Sequence, residues 1–377
     1  MSDRAAPSAG FGPGAASWLG IAIVVLGVLF AAHEGNETMR QGVLKYAAPA
    51  NLELPAAECP ADELEEEGLS VAECEQLVED VRSYLVSMPD WFWLGQGFLA
   101  LIGTLLALVS IACGALLVNL RAGAARLGLT VFSALAVVDA GHFVVAQLAG
   151  PILRGIHLPA ALGWFFVHLA LALACRVAQS GGDASAQREA FKQALAGTGE
   201  RSYGRFEVGT HWFIAVSVFF LFISSWWMLA LPLPSAVFRF REFPFQLHKN
   251  LGITIMLLLI AMAVIRILSR QALAAVPAES ASMRRLRLAG HVALYVLILA
   301  VCVTGYMSSS YSGWATTFWW LVDLPYWGHE NEELNQLYSD LHLWACWFLL
   351  LAMAAHIGAA LTHAFRDDGV VRRILHW

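Results

Sequence analysis

Charged residues are scarce in this sequence: Asp, Glu, Lys and Arg make up 14% of its 377 residues, while 58% are hydrophobic. A typical soluble domain is about one-quarter charged, and the mean hydropathy here is +0.62. The composition therefore excludes an ordinary soluble protein and indicates a polytopic membrane protein surrounded by lipid. The sequence also lacks a Gly-rich nucleotide-binding loop, and we expect no nucleic acid partner.

Cysteine is also sparse, with six residues, and none of them lies in a C-x-x-C-H sequence or in a metal-binding pattern. Covalent attachment of a c-type haem is thereby excluded. Cys59 and Cys74 fall in a loop on the predicted outer side, and in an oxidising compartment they are predicted to form a disulfide. The other four lie in apolar segments and are typical of small buried side chains: Cys113, Cys175, Cys302 and Cys346.

Long apolar runs dominate the chain instead. Eight of them are long enough to cross a bilayer, at about 17–32, 91–118, 128–148, 159–179, 208–231, 248–270, 288–307 and 339–365. The first is short for a full crossing, so it is either an uncleaved anchor, which we favour, or a cleaved signal peptide. The sequence therefore predicts an all-α membrane protein with eight transmembrane helices.

The distribution of basic residues orients these spans, because cytoplasmic loops carry an excess of Lys and Arg. With the N-terminus inside, sixteen of the 23 Lys and Arg residues fall on the cytoplasmic side. Seven fall on the opposite side: Arg40, Lys45, Arg82, Arg154, Arg239, Arg241 and Lys249. An even number of spans then places both termini in the cytoplasm, and we expect a multi-pass protein of the bacterial inner membrane.

The chain is predicted to divide into two membrane units joined by a polar linker. Residues 1–179 form an N-terminal unit of four spans with a periplasmic insert at 33–90. Residues 180–204 form a cytoplasmic linker, and residues 205–377 form a C-terminal bundle of four helices. The histidine pattern of the second unit is not repeated in the first, which indicates a fusion of two different units.

The periplasmic insert is acidic from residue 53 to residue 90 and predicts a small helical cap. Pro60 suits the first position of a helix and Gly68 suits its end. Ser70 followed by Glu73 is a capping box that begins a second helix, which ends before Pro89. A disulfide between Cys59 and Cys74 would attach the cap's two helices to each other. The cap is either a solvated acidic surface without chemistry or a docking face for a basic periplasmic partner.

Five histidines lie in the apolar segments of the second unit: His211, His248, His291, His342 and His356. Imidazole in lipid is costly, so such a ring normally faces the bundle interior and has a partner. His342 and His356 are fourteen residues apart on the last span. Their rings project from nearly the same helix face, about 21 Å apart along the axis. One helix therefore presents an imidazole near each membrane surface.

Matching depths pair these rings with histidines of neighbouring spans. His248 is expected to face His342 on the outer side, and His211 to face His356 on the inner side. A haem iron held by two axial imidazoles is closed to substrate and passes electrons. The second unit is therefore predicted to be a haem-binding bundle that holds two b-type haems.

Four further side chains are predicted to belong to this site. His291 has no histidine partner at its depth. It is predicted either to contact the haem ligands or lie at the edge of a quinone site, or simply to pack between helices. Arg239, Arg241 and Lys249 lie on the outer side, where they are predicted to meet haem propionates.

Five segments of the second unit, in this order along the chain, carry a family resemblance: RFEVGTHW (205–212), FPFQLHKNLGI (243–253), VIRILSR (264–270), LAGHVALYVL (288–297) with TGY after it, and LHLWACWFLLLAMAAHIGAALTHAFRDDGVVRRIL (341–375). Together they resemble the bacterial dihaem cytochrome b561 family, which is related to the cytochrome b subunits of nickel–iron hydrogenases and formate dehydrogenases. The resemblance implies the same two ligand pairs and electron exchange with ubiquinone.

The sequence departs from that family in two places. Cys302 stands where a proline is common before the TG of the third family helix. The loop before the last span carries five acidic residues. An acidic rim repels the superoxide anion that some family members oxidise, which argues against that activity here. The first unit resembles no family that we can name.

The predicted function is electron transfer between a periplasmic-side partner and the quinone pool, by two haem b groups with a quinone as substrate. One alternative is a cytochrome b membrane-anchor subunit of a larger oxidoreductase complex, of the dehydrogenase or hydrogenase type. A third possibility is a non-redox transporter or scaffold in which the histidines relay protons.

The first unit has polar residues of its own within its spans. Asp139 and His142 share a helix face at i,i+3 spacing, His168 lies deep in the fourth span, and His33 and Glu34 end the first. An ionisable residue inside a membrane is a functional hypothesis by default. These side chains are predicted either to bind a third haem or a metal, to carry protons, or to satisfy one another through an internal Asp–His hydrogen bond.

Overall fold

The computed structural model describes residues 13–47, 59, 64, 69–179, 204–232, 239–268 and 281–366. In chain order its elements are α1 (Pro13–Ala47), α2 (Val71–Ser87), α3 (Phe92–Val118), α4 (Ala124–Leu148), α5 (Pro151–Gln179), α6 (Arg205–Leu229), α7 (Glu242–Leu268), α8 (Ala281–Tyr311), β1 (Thr317–Phe318), β2 (Val322–Asp323) and α9 (Glu332–Arg366). Within these ranges eight helices, all but α2, are long and apolar enough to cross a membrane. The predicted all-α membrane fold is confirmed. The orientation stays a prediction, and "outer" and "inner" denote the predicted periplasmic and cytoplasmic sides.

Helix α1 is longer than its apolar run predicts. The run ends near residue 32, but the helix continues to Ala47 through the polar stretch HEGNETMRQ. Glu34, Asn36 and Gln41 are buried there, so contacts with other helices keep this polar stretch helical. Residues 33–47 of the predicted insert therefore continue the first helix, while the division of the chain into units stays a prediction.

Glycines allow α1 and α3 to approach each other closely. A Cβ at Gly20 would lie 2.7 Å from the Gly114 carbonyl oxygen, and a Cβ at Gly27 would lie 2.6 Å from Ser110 Oγ. Real Cβ atoms do not approach other atoms this closely, so both contacts require glycine at these positions. Small residues at a crossing are the usual means by which membrane helices associate.

Replacing Gly114 by leucine is expected to separate α1 from α3. A Cβ at this position would lie 2.5 Å from the Gly20 carbonyl oxygen, and overpacking of this kind costs about 1–3 kcal/mol. The thermal midpoint in detergent should fall. Gly163→Leu is the matched control, because a Cβ at Gly163 meets no atom within 4 Å. Equal midpoints for the two variants would show that the crossing does not stabilise the fold.

The outer cap is built on α2. Its N-terminus has the predicted capping box: Glu73 N donates to Ser70 Oγ at 3.3 Å, and Ser70 N donates to the Glu73 carboxylate at 2.8 Å. The Ser70 hydroxyl also donates to this carboxylate at 2.7 Å, and together with the bond from Ser70 N it holds the pKa of the Glu73 carboxyl below its ordinary value. Cys59 and Cys74 form a disulfide. The predicted first cap helix falls on residues 60–68, of which only Leu64 is described.

Helix α1 joins the two halves of the protein. It packs against α3 in the first half and against α6 and α9 in the second. The shared apolar cluster contains Ile21, Val24 and Val28 of α1 with Val216, Phe219 and Ala364 of the second half. The predicted linker 180–204 lies outside the described residues except for Gly204. The two halves therefore meet along a membrane helix.

The second half consists of α6 to α9. Helices α8 and α9 are in close contact, α7 lies between α6 and α8, and α9 faces α6 and α7 across the bundle. The short hairpin of β1 and β2 covers the outer end, where Trp319 N donates to Asn250 Oδ1 of α7 at 2.9 Å. This arrangement places the last helix opposite two others that carry histidines.

Candidate functional site

The outer histidine pair lies between α7 and α9. The ring centroids of His248 and His342 are 6.3 Å apart. His342 Nδ1 donates to the Val301 carbonyl oxygen of α8 at 2.9 Å. In metal-binding imidazoles, a hydrogen bond from one ring nitrogen fixes the tautomer and the orientation of the ring. The other nitrogen, here Nε2, is then left for the metal. The local contacts thus prepare His342 for ligation through Nε2.

The inner pair lies between α6 and α9. The ring centroids of His211 and His356 are also 6.3 Å apart. His291 of α8 joins them, with its ring centroid 5.5 Å from that of His356 and its Nδ1 2.8 Å from the Arg287 carbonyl oxygen. The structure therefore brings together both predicted pairs and places the fifth histidine beside the inner one.

The spacing of both pairs fits axial ligation of one iron each. An imidazole nitrogen binds a first-row metal at about 2 Å, and the ring centroid lies about 1 Å behind it, so two opposed axial rings have centroids about 6 Å apart. Two imidazoles are also the donor set of a closed, electron-transferring haem. Both donor chemistry and distance fit.

Four glycines close to these histidines in sequence have open space at their Cβ positions. A Cβ added at Gly209, Gly252, Gly290 or Gly358 would meet no atom within 4 Å. Each of these glycines is within four residues of one of the five histidines. Glycine at these positions adds no side chain that would compete with a macrocycle for space near the histidines.

Gly305 has the opposite environment. A Cβ there would lie 2.9 Å from Nδ1 and Cε1 of His342, so the glycine supports the face of that ring. We expect Gly305→Ala to push the His342 ring, lower the occupancy of the outer haem and shift its absorption band. Visible spectra of the purified variants measure this. Gly290→Ala on the same helix is the control, and it should leave the absorption band of the outer haem unchanged. An unchanged band of the outer haem in Gly305→Ala would contradict the prediction.

The predicted propionate partners have protein partners in the structure. Buried Arg241 donates from Nε to the Leu231 carbonyl at 3.0 Å and from Nη2 to the Leu229 carbonyl at 3.2 Å. It therefore closes the outer end of α6. Exposed Arg239 is paired with Glu242, and Lys249 Nζ lies 3.4 Å from the Trp314 carbonyl oxygen. Propionate binding by these three residues stays a prediction.

The polar residues of the first half also come together. His168 Nδ1 donates to Asp139 Oδ2 at 2.6 Å, and His142 Nε2 lies 3.5 Å from Glu34 Oε2. Within the described part of the chain, no group of three or more His, Cys, Asp or Glu side chains is placed to hold a metal ion. The internal Asp–His hydrogen bond is present, but Asp139 bonds His168 of the next helix.

Sequence reasoning missed the outer part of this cluster. His157 lies 3.6 Å from Glu37 Oε1, 3.0 Å from the Tyr84 hydroxyl and 3.3 Å from Gln96 Nε2. Gln41 donates to Glu37 and to Tyr84, each at 2.8 Å. A signal was present in the sequence, because Glu34, Glu37 and Gln41 recur at helical spacing within one stretch.

Together, the fold and the two imidazole pairs define a multi-pass membrane protein whose second half is a histidine-bearing bundle of the cytochrome b class. Residues 202–377 match the family model described as prokaryotic cytochrome b561, and this region belongs to that family. The resemblance predicted from the sequence is confirmed for this half. The first half has no family match.

A stretch of 183 residues is 29% identical to Cytochrome b561 homolog 2 of Escherichia coli (strain K12), and it covers 48% of this chain and 95% of that relative. No solved structure matches the chain. The second half is therefore a bacterial membrane cytochrome b, which implies haem b and electron transfer.

Proposed function

We propose that this protein is a dihaem membrane cytochrome that transfers electrons between a periplasmic-side partner and the quinone pool. His248 and His342 hold the outer haem b, and His211 and His356 hold the inner one. The observation that carries the proposal is the identical 6.3 Å separation of the two ring pairs on one shared helix. The fourteen residues between His342 and His356 span about 21 Å, which brings the two sites near opposite membrane surfaces.

Haem b held in this way supplies reversible one-electron chemistry. The residues of the chain position it and exclude competing reactions. Each imidazole pair would hold one haem iron between its two rings, which would leave oxygen no place to bind. The Val301 carbonyl holds the proton on His342 Nδ1, so Nε2 is the atom that would hold the haem iron. The aliphatic core around Ile255 and Leu349 keeps water from the space between the sites.

The outer partner is proposed to approach beside His248. A cleft there is lined by Glu242, Phe243, Phe245, Gln246, Lys249, Trp314 and Trp320. Lys249 follows His248 in sequence, and the rings of Phe243 and Trp320 stack at 5.5 Å. Aromatic walls with one amine suit a planar redox group or an aromatic-rich protein surface.

The quinone is proposed to react at the inner pair, where His291 lies against His356. Its Nδ1 is held by the Arg287 carbonyl, so Nε2 is the atom available to bond a quinone oxygen. A donor or acceptor beside an electron-transfer ligand is what proton-coupled quinone chemistry requires.

Reduction of the purified protein by a quinol tests the proposal. Addition of a short-chain quinol should produce the sharp α-band of reduced haem b, and the band should disappear when an outer-side acceptor is added. The matched control is His363→Ala, which changes a histidine of α9 outside both pairs and should behave like the wild type. A protein without a dithionite-reducible α-band ends the proposal, while a band that only dithionite produces excludes the quinone.

A second candidate function is a membrane-anchor subunit of a larger oxidoreductase. The observation in its favour is the exposed outer loop that contains the β1–β2 hairpin, in which Leu321 is 84% exposed and Trp327 is 66% exposed. Exposed apolar side chains on one surface are typical of protein interaction sites. Stable co-purification with a dehydrogenase or hydrogenase subunit from mild detergent would favour this candidate, and a quinol-active monomer would count against it.

A further inference from the structure

The first half contains a line of buried ionisable side chains between its helices that the haem sites do not use. Three cross-helix contacts make up the line: His157 to Glu37 at 3.6 Å, His142 to Glu34 at 3.5 Å, and Asp139 to His168 at 2.6 Å. Each contact joins α1 or α4 to a different helix. The two residues on α1 are three positions apart, and so are the two residues on α4. Three positions correspond to about 4.5 Å along a helix axis.

The two turns connect the three contacts in series. Glu37 and Glu34 follow each other on α1, and His142 and Asp139 follow each other on α4. Residues three apart on a helix share a face. The line therefore runs from His157 on α5, through α1 and α4, to His168 on α5 again. His157 and His168 are eleven residues apart, so the line extends about 16 Å along α5.

Several atoms along the line are buried without a hydrogen-bond partner. They are both ring nitrogens of His142, Oε2 of Glu34 and Nε2 of His168, and all three side chains are more than nine-tenths buried. Buried polar atoms are rarely left unpaired, because each costs the free energy of its lost hydration. In a membrane, such groups mark ion or proton pathways.

The outer end of the line is partly exposed and the inner end is enclosed. Arg40 lies 3.7 Å from Glu37 and its side chain is 24% exposed, while the Glu37 side chain is 12% exposed. At the other end the rings of Phe30, Phe132 and Trp164 surround His168, with centroids 4.2, 6.2 and 6.4 Å away. His33, the remaining ionisable group on this part of α1, packs against Trp164.

We propose that these residues form a one-ended proton path that connects the outer solution with the Asp139–His168 pair in the membrane. Glu37 takes up a proton from the outer side and passes it to Glu34. His142 accepts that proton at Nε2 and releases the one on Nδ1 towards Asp139, which shares it with His168. One proton enters, the net charge of the Asp139–His168 pair rises by one, and the reverse sequence returns the proton to the outer side. This inference does not rest on the haem sites.

The test measures how fast the buried histidine exchanges its ring proton with solvent. The full-length protein is labelled with ¹⁵N-histidine, placed in lipid nanodiscs and transferred to D₂O, and the His168 signal is assigned by its loss in His168→Gln. We expect exchange within minutes in the wild type. Glu34→Gln and Glu37→Gln should slow the exchange at least tenfold, because an amide cannot take up and release a proton as a carboxyl group does.

Two further variants separate a path from a general loss of structure. Gly103→Ala keeps every ionisable group but places a Cβ 2.9 Å from the Glu34 carboxyl carbon, so it should also slow exchange. Glu79→Gln changes an exposed acid of α2 that pairs with Arg82 and should leave the rate unchanged. An unaltered haem band and a single elution peak show that each variant is folded. Wild-type exchange rates in both glutamate variants, or no exchange in the wild type over a day, would overturn the path.

Discussion

Replacing His342 by alanine is expected to lower the haem b content of the purified protein from two per chain to one. The outer haem would lose an axial ligand that Val301 orients and Gly305 supports. Ligands held in this way lose about 10–100-fold in metal affinity even when only the orienting group is removed, and loss of the ligand itself costs more. Pyridine haemochrome absorbance per mole of protein measures the result.

Matched variants define the outer pair as one site. His248→Ala should give the same single haem, and the double variant should retain one haem, because both rings belong to the same site. His329→Ala removes an exposed histidine of the outer loop and should retain two. Retention of two haems in His342→Ala, or loss of both in the double variant, is the result that would reject the pairing.

Replacing His356 by alanine is expected to remove the inner haem and slow electron transfer across the membrane by at least 100-fold. The two sites are about 21 Å apart along α9, so loss of one leaves a gap in the only predicted route. The measurement uses proteoliposomes in which a quinol donates electrons and a membrane-impermeant dye accepts them at the outer side.

His291→Ala separates ligation from quinone binding at the inner pair. This variant should keep two haems, because His211 and His356 remain paired, but its rate with quinol should fall. A His356→Ala protein that still transfers electrons at the wild-type rate would show that the inner pair is not on the route. Loss of a haem in His291→Ala would instead make His291 a ligand.

Much of the second half could be predicted because its signals are local. Apolar runs fix the spans, and the fourteen-residue spacing of His342 and His356 fixes their common face. Depth then identifies His248 and His211 as the facing rings, and the structure brings both together at the same distance. The sequence could not indicate that Arg241 turns to the carbonyls at the end of α6, since that contact depends on how the chain folds back.

The first half was less predictable because its polar contacts run between helices. Spacing indicated that Asp139 and His142 share a face, but the hydrogen bond of Asp139 is made with His168 on the neighbouring helix. The extension of α1 to Ala47 likewise depends on burial of Glu34, Asn36 and Gln41 by other helices. Local polarity alone places a helix end where the apolar run ends, and tertiary packing overrides it.

The most direct test of the central claim is the number of haem b groups bound by the full-length wild-type protein. Pyridine haemochrome absorbance, divided by protein concentration from amino-acid analysis, should give two per chain, both low-spin in the oxidised EPR spectrum as two axial imidazoles require. A ratio of one, or a high-spin signal of equal intensity, would contradict ligation by two histidine pairs. A ratio of three would place a further haem among histidines outside those pairs.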